Sequence, residues 1–141
     1  LLFFIGGPLQ EEPGWRGVAL PLMQRRWHPL VAAVLLGIVH CCWHAPLFLV
    51  DDWDSDGFGV SHLASYFVLV LALSIVLSWL ANFNRGNIVT AIIAHNGVNW
   101  GLMFVGEPAN LWPAALALVA LALVIVLFRG PLLDAATVHE A

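Results

Sequence analysis

The sequence predicts an all-helical, multi-pass transmembrane bundle, and three observations carry the prediction. Of its 141 residues, 61% are apolar and only 10% charged, where a soluble domain averages about 45–50% and about 25%. The charges are gathered into a few places, leaving long uncharged runs between them. The ionisable residues that interrupt apolar sequence fall, His62 apart, in three short motifs. This composition excludes a soluble globular domain and a disordered chain. It also excludes a nucleic-acid partner, because five arginines, no lysine and nine acids give a net charge of −4, whereas a nucleic-acid surface is basic.

Residues 30–50, 60–84, 87–105 and 111–128 contain no Asp, Glu, Lys or Arg, and each run has at least 18 residues. About 20 helical residues cross a hydrocarbon core of roughly 30 Å. Backbone groups in lipid must be satisfied within their own segment, so each run is expected to be a transmembrane helix. A fifth span is expected to end at residues 1–5, since the chain opens within a hydrophobic run. With no initiator Met and no basic n-region, that opening is not read as a signal peptide. The chain therefore reads as a fragment of a larger bundle, one membrane-embedded domain over residues 1–141 with helices missing upstream. No internal repeat or linker divides it, the tail after Gly130-Pro131 is mildly polar and expected to fray, and nothing fixes an oligomeric state.

Orientation follows from the arginines. Arg25 and Arg26 precede the first full run, Arg85 separates the second and third, and Arg129 follows the fourth. The opposite loops hold Asp51, Asp52, Asp54, Asp56 and Glu107, and no Arg. By the positive-inside rule the Arg side is cytoplasmic, and so is the C-terminus. Arg16 is the exception and needs a reason.

Ionisable groups in membrane-embedded sequence are costly and usually functional. The first set lies in Gln10-Glu11-Glu12-Pro13-Gly14-Trp15-Arg16-Gly17, which reads as a helix start because proline and acids both favour the first turn. If the helix runs on to Arg26, Glu12 and Arg16 are i,i+4 partners. Glu11 then sits about 100° round the axis, outside that pair, with Trp15 as its own i+4 neighbour. That would leave one carboxylate paired and the next partly desolvated with a raised pKa, as a general base near neutral pH requires. The alternative is an interfacial helix whose acids cap its start and face headgroups.

The second set, His40-Cys41-Cys42-Trp43-His44-Ala45-Pro46, places two histidines on one helical face. Pro46 cannot donate to the carbonyl of Cys42, so a bend is expected just past His44, exposing a backbone acceptor. Histidines at i,i+4 can bind zinc, but no Glu stands between them as in the zincin helix. Hydrogen bonding between packed helices is the other reading. Cys41 and Cys42 are read as packed thiols.

The third set, His95-Asn96-Gly97-Val98-Asn99-Trp100-Gly101, puts His95 and Asn99 one turn apart, where both could donate to one oxygen as an oxyanion hole requires. Interhelical hydrogen bonding alone is the alternative. Gly97 and Gly101 form a small-xxx-small face expected to admit a close neighbouring helix. His62, at the start of a run beside the acidic loop, is expected to be interfacial. At ~1.5 Å per residue, Glu11 lies roughly 22 Å above Arg26, His44 roughly 21 Å above Leu30 and His95 roughly 12 Å above Asn87. Three helices could therefore bring these groups into one cavity.

In this order, Glu11-Glu12-x-x-x-Arg16, Trp43-His44-x-Pro46-Leu47-Phe48 and His95-x-x-x-Asn99 resemble the CPBP intramembrane proteases. This is the Abi or CAAX protease family, which includes type II CAAX prenyl endopeptidases and bacterial relatives linked to bacteriocin immunity. The resemblance runs over residues 7–101. It implies peptide-bond hydrolysis inside the membrane, with Glu11 and His44 activating a water and His95 and Asn99 stabilising the oxyanion. Glu12 and Arg16 would hold that site from behind. It also implies a peptide or prenylated-protein substrate and a bacterial plasma-membrane setting. Where the family usually has an aromatic residue four before the second-motif histidine, this chain has His40, which either adds a metal ligand or keeps a flat ring there. No cofactor is implied as obligatory; a divalent metal such as zinc would draw on Glu11, His40, His44 and His95. Two other readings compete: a non-catalytic immunity or membrane partner protein, and a bis-histidine haem or metal carrier using His44 and His95.

Overall fold

The computed structural model describes residues 7–49, 59–104 and 110–128, and every element in them is helical. The opening run at 1–5, the acidic loops with Asp51, Asp52, Asp54, Asp56 and Glu107, and the tail with Arg129 lie outside the described residues.

Helix α1, Pro8–Gly14, starts earlier than the sequence predicts: Pro8 takes the first turn, and Pro13, the proline of the motif, lies inside the helix. The carbonyl of Gly7 accepts from the N–H groups of Gln10 and Glu11 at 2.8 and 3.0 Å. The predicted continuous helix to Arg26 is interrupted by a π turn at Trp15–Ala19, where Leu20 N–H reaches the carbonyl of Trp15. Single π turns of this kind frequently mark functional sites. Pro21 then falls at the start of α2, Leu20–Gln24, where its missing N–H is tolerated. Helix α3, Pro29–His44, begins at another first-turn proline, with Leu30 N–H donating to His28 Nδ1 at 3.2 Å. The bend expected at Pro46 is present: the α-helix gives way to a 3₁₀ turn at Ala45–Leu49. The Cys42 carbonyl is not left exposed, because Ala45 N–H takes it.

Helix α4, Val60–Phe83, is the centre of the bundle and packs on α3 and on the two helices that follow, α5 at Val89–Phe104 and α6 at Trp112–Phe128. It buries residues round most of its circumference, from Ser65 to Ala81, which suits a helix apolar on every side. Against α6 it buries Ala72 and Val76 with Ala122 and Ile125, and against α5 it buries Leu73 and Leu77 with Ala91. Where α3 crosses α4, a Cβ on Gly37 would lie 3.0 Å from Ser74 Cβ and 3.3 Å from Leu71 Cα. Ser74 Oγ donates to the carbonyl of Ala33 at 2.9 Å in the same crossing, the small-residue approach that lets membrane helices pack closely. The turn from α4 to α5 uses positive φ at Arg85 (55°) and Gly86 (82°), with Gly86 N–H closing onto the carbonyl of Ala81 at 2.8 Å.

Four expected spans thus become four helices close to the expected boundaries. Two, the 20 residues Pro29–Phe48 and the 24 of Val60–Phe83, are long and apolar enough to cross a membrane. The 16 residues of α5 and 17 of α6 are shorter than expected, at about 24–26 Å. The α4–α5 turn consumes residues 84–87, and Asn87 Oδ1 caps α5 by accepting from Val89 N–H at 3.0 Å. The expected close approach at Gly97 and Gly101 is not made by the described residues. Among the described residues nothing lies within 4 Å of a Cβ built on either, because α4 meets α5 on the face carrying Ala91. Cys41 is buried as expected, whereas Cys42 points out of the bundle.

Candidate active site

Three separate segments deliver the site: α1 carries the acidic pair, α3 the two histidines and α5 His95. Consecutive residues on α1 diverge by about 100°, so Glu11 and Glu12 face different neighbours. Glu12 is fully buried, and its Oε1 accepts from Arg16 Nη1 at 3.0 Å. This is the predicted i,i+4 pair, and it gives Arg16, the exception among the arginines, its reason. The same Oε1 accepts from His95 Nδ1 at 2.7 Å, a contact between residues 83 apart that no local spacing reveals. Glu12 therefore ties the first motif to the third. Nδ1 donates to the carboxylate, which leaves the second ring nitrogen of His95 clear of this contact.

Glu11 corrects the reading of the first motif. It is not a lone carboxylate against apolar surface, because His40 Nε2 stands 3.1 Å from its Oε2. The premise for a raised pKa, an unpartnered acid on Trp15, does not hold. Trp15 instead stacks on His40, with ring centroids 5.1 Å apart at 28°, and meets Trp43 edge-on at 6.0 Å. His40 lies 4.8 Å from the His44 ring and 6.1 Å from the His95 ring. His44 Nδ1 donates to the carbonyl of His40 at 3.3 Å; since a carbonyl only accepts, the proton sits on Nδ1 and Nε2 of a neutral ring is free to accept. Trp43 and Tyr66 pack edge-on against His44 at 4.7 and 6.0 Å. Sequence reasoning missed Tyr66; being the chain's single tyrosine, inside an apolar run, was its only signal.

Of the four metal candidates, Glu11, His40 and His44 come together, with one donor atom from each within 4.8 Å of the others, and this group could hold a metal ion. His95 falls outside it, being engaged by Glu12 instead. Asn99 follows His95 by one turn on α5 and is half-buried, with no side-chain hydrogen bond to the described residues. His62 lies in the first turn of α4, half-buried, its ring 6.4 Å from that of Phe48.

The sequence model of the family described as "Type II CAAX prenyl endopeptidase Rce1-like" matches residues 1–101. The chain belongs to this family. A curated relative, "CAAX prenyl protease 2" of Methanococcus maripaludis, is 33% identical over 92 residues, 63% of the chain. The chain spans about a third of that relative's length, 34%. No solved structure matches the chain. All three polar motifs lie within the part matched to the Rce1-like family, as do α1 to α5 up to Gly101.

Proposed function

We propose that the chain carries the hydrolytic centre of an intramembrane endopeptidase, with Glu11 and His44 as the water-activating pair. The observation that supports this most is the convergence of Glu11, His40 and His44 from α1 and α3 into one half-buried cluster, with His95 of α5 beside it. The Glu11 carboxylate, oriented by His40, takes a proton from water as the water oxygen bonds to the scissile carbonyl carbon. Nε2 of His44 accepts a hydrogen bond from the same water and holds it in line. The oxyanion that forms is stabilised by His95 and by the carboxamide of Asn99, which preorganised donors do best where water is excluded. Glu11 returns the proton to the departing amine nitrogen as the carbon–nitrogen bond breaks, leaving a carboxylic acid and an amine, between which the remaining water proton then passes. This route needs no obligatory metal.

The relative's name and the apolar setting support a peptide substrate from a membrane-associated or prenylated, CAAX-type protein. The arginine-bearing ends of the helices face the cytoplasm, and the C-terminus lies on that side. The test is cleavage of prenylated and unprenylated peptides by the full-length parent in liposomes. Loss of cleavage in Glu11→Gln and in His44→Ala, each folded as wild type, is the expected result. Full activity in Glu11→Gln would remove the assignment of the base. A non-catalytic immunity or partner role would instead show His44 and His95 variants losing stability, with no cleavage by any form.

A further inference from the structure

We infer that Glu11, His40 and His44 form a binding site for one zinc-class divalent ion, completed in this chain by His40. The donor set is two imidazoles and one carboxylate, the combination of many open zinc sites, which leave a fourth position free. Imidazole donors favour zinc and its neighbours over magnesium or calcium, which take oxygen ligands. The geometry needs little adjustment. Two ligands about 2.0–2.1 Å from a tetrahedral ion stand about 3.3 Å apart, and Glu11 Oε2 and His40 Nε2 are already 3.1 Å apart. The widest separation in the group, 4.8 Å, closes by about 1.5 Å to reach that tetrahedral spacing. Side-chain rotation within the cluster supplies a shift of that size.

A second feature is independent of these distances. Metal-bound histidines usually donate their other ring nitrogen to a backbone carbonyl or carboxylate, which fixes the tautomer. His44 does this through Nδ1 to the His40 carbonyl, and so presents Nε2 as the free donor atom. His40 is held at a defined angle by the Trp15 face, which limits the ordering cost of capture.

The inference shares side chains with the peptidase reading but concerns binding, and holds whether turnover rises or falls as the ion loads. The test is titration of the chelator-stripped full-length protein in detergent with Co²⁺, read by the visible absorption of four-coordinate cobalt, then displacement by Zn²⁺. One cobalt per chain is expected, bleached by zinc. His40→Phe should weaken binding at least about 100-fold, since loss of a mere outer partner already costs about 10–100-fold. Asn99→Ala should bind as wild type does. X-ray absorption of the zinc-loaded wild type needs no variant, and should show two imidazoles and oxygen ligands. Absence of a stoichiometric cobalt band, equal affinity in a folded His40→Phe protein, or a zinc shell without imidazole would each overturn the site. Loss of cleavage in Glu11→Gln bears on the peptidase reading alone.

Discussion

Glu11 and Glu12 leave the same turn of α1 and enter opposite surroundings. The Glu12 side chain has 0% of its surface exposed and is held on one oxygen by both Arg16 and His95. The Glu11 side chain keeps 14% exposed and meets His40 in a single contact at its other end. Helix geometry separates the two by one residue's rotation; packing then makes one a fixed strut between α1 and α5 and leaves the other beside a cluster able to bind a proton, a water or an ion. Glu12 is committed through Oε1 to two partners in a site closed to solvent, whereas Glu11 has one partner and keeps an exposed edge. A paired-acid motif of this kind is two instruments, and mutating both acids together would hide the difference.

The largest expected effect lies on the Glu12 side. Removing one partner of a buried ion pair leaves the other charge uncompensated, at a cost of about 3–5 kcal/mol. Arg16→Met should therefore lower the unfolding midpoint in detergent steeply, and Glu12→Gln nearly as much. The double variant Glu12→Gln/Arg16→Met should lose less than the sum, because no lone charge remains. An Arg16→Met protein as stable as wild type would break the view of Glu12 as the strut.

Next comes Glu11→Gln, where the prediction reverses. The amide keeps the shape and can still bond to His40, so the unfolding midpoint should stay near wild type. Cleavage should fall at least about 100-fold, the lower range for loss of a general base. Parallel losses of stability and turnover in this variant would erase the distinction between the two acids.

Much of this arrangement was legible in local sequence. Runs without charge gave four helices, Pro46 gave the bend after His44, and the i,i+4 spacing of Glu12 and Arg16 gave their ion pair. The same spacing could not give His40 as the partner of Glu11, or His95 as the partner of Glu12. Those contacts depend on how α1, α3 and α5 are rotated about their axes relative to one another, and that phase is set by packing. The π turn at Trp15–Ala19 was illegible for a related reason, since it turns on which carbonyl Leu20 N–H reaches. Gly97 and Gly101 show the converse: small-residue spacing permits a close approach, but among the described residues no partner takes it.

Gly37 sharpens the comparison through the backbone. A Cβ there would meet Ser74 Cβ at 3.0 Å and Leu71 Cα at 3.3 Å, so α3 must shift by tenths of an ångström. Overpacking of this sort costs about 1–3 kcal/mol. The shift moves His40 and His44, which ride on α3, while the Glu12–Arg16–His95 link joins α1 to α5 and does not pass through α3. Gly37→Ala should thus lower cleavage and cobalt affinity together, with a moderate fall in the unfolding midpoint. Loss of stability with turnover unchanged would mean that the position of α3 does not matter to the cluster.

The smallest effect is expected at Trp15, and it tests what holds the Glu11 side in place. Its indole stacks on His40 at 5.1 Å and meets Trp43 at 6.0 Å, contacts worth about 0.5–1.5 kcal/mol beyond area burial. Trp15→Leu keeps apolar bulk but removes the flat face, so His40 samples more ring orientations and spends less time aligned with Glu11. Converted to a population, that energy is at most about tenfold, so cleavage and cobalt affinity should each fall by no more than about tenfold. The unfolding midpoint should move far less than in Arg16→Met, because no charge is stranded. A Trp15→Leu protein as unstable as Arg16→Met would place the strut at the aromatic stack and not at Glu12. An unchanged cobalt affinity would show that Glu11 and His44 alone fix the angle of His40.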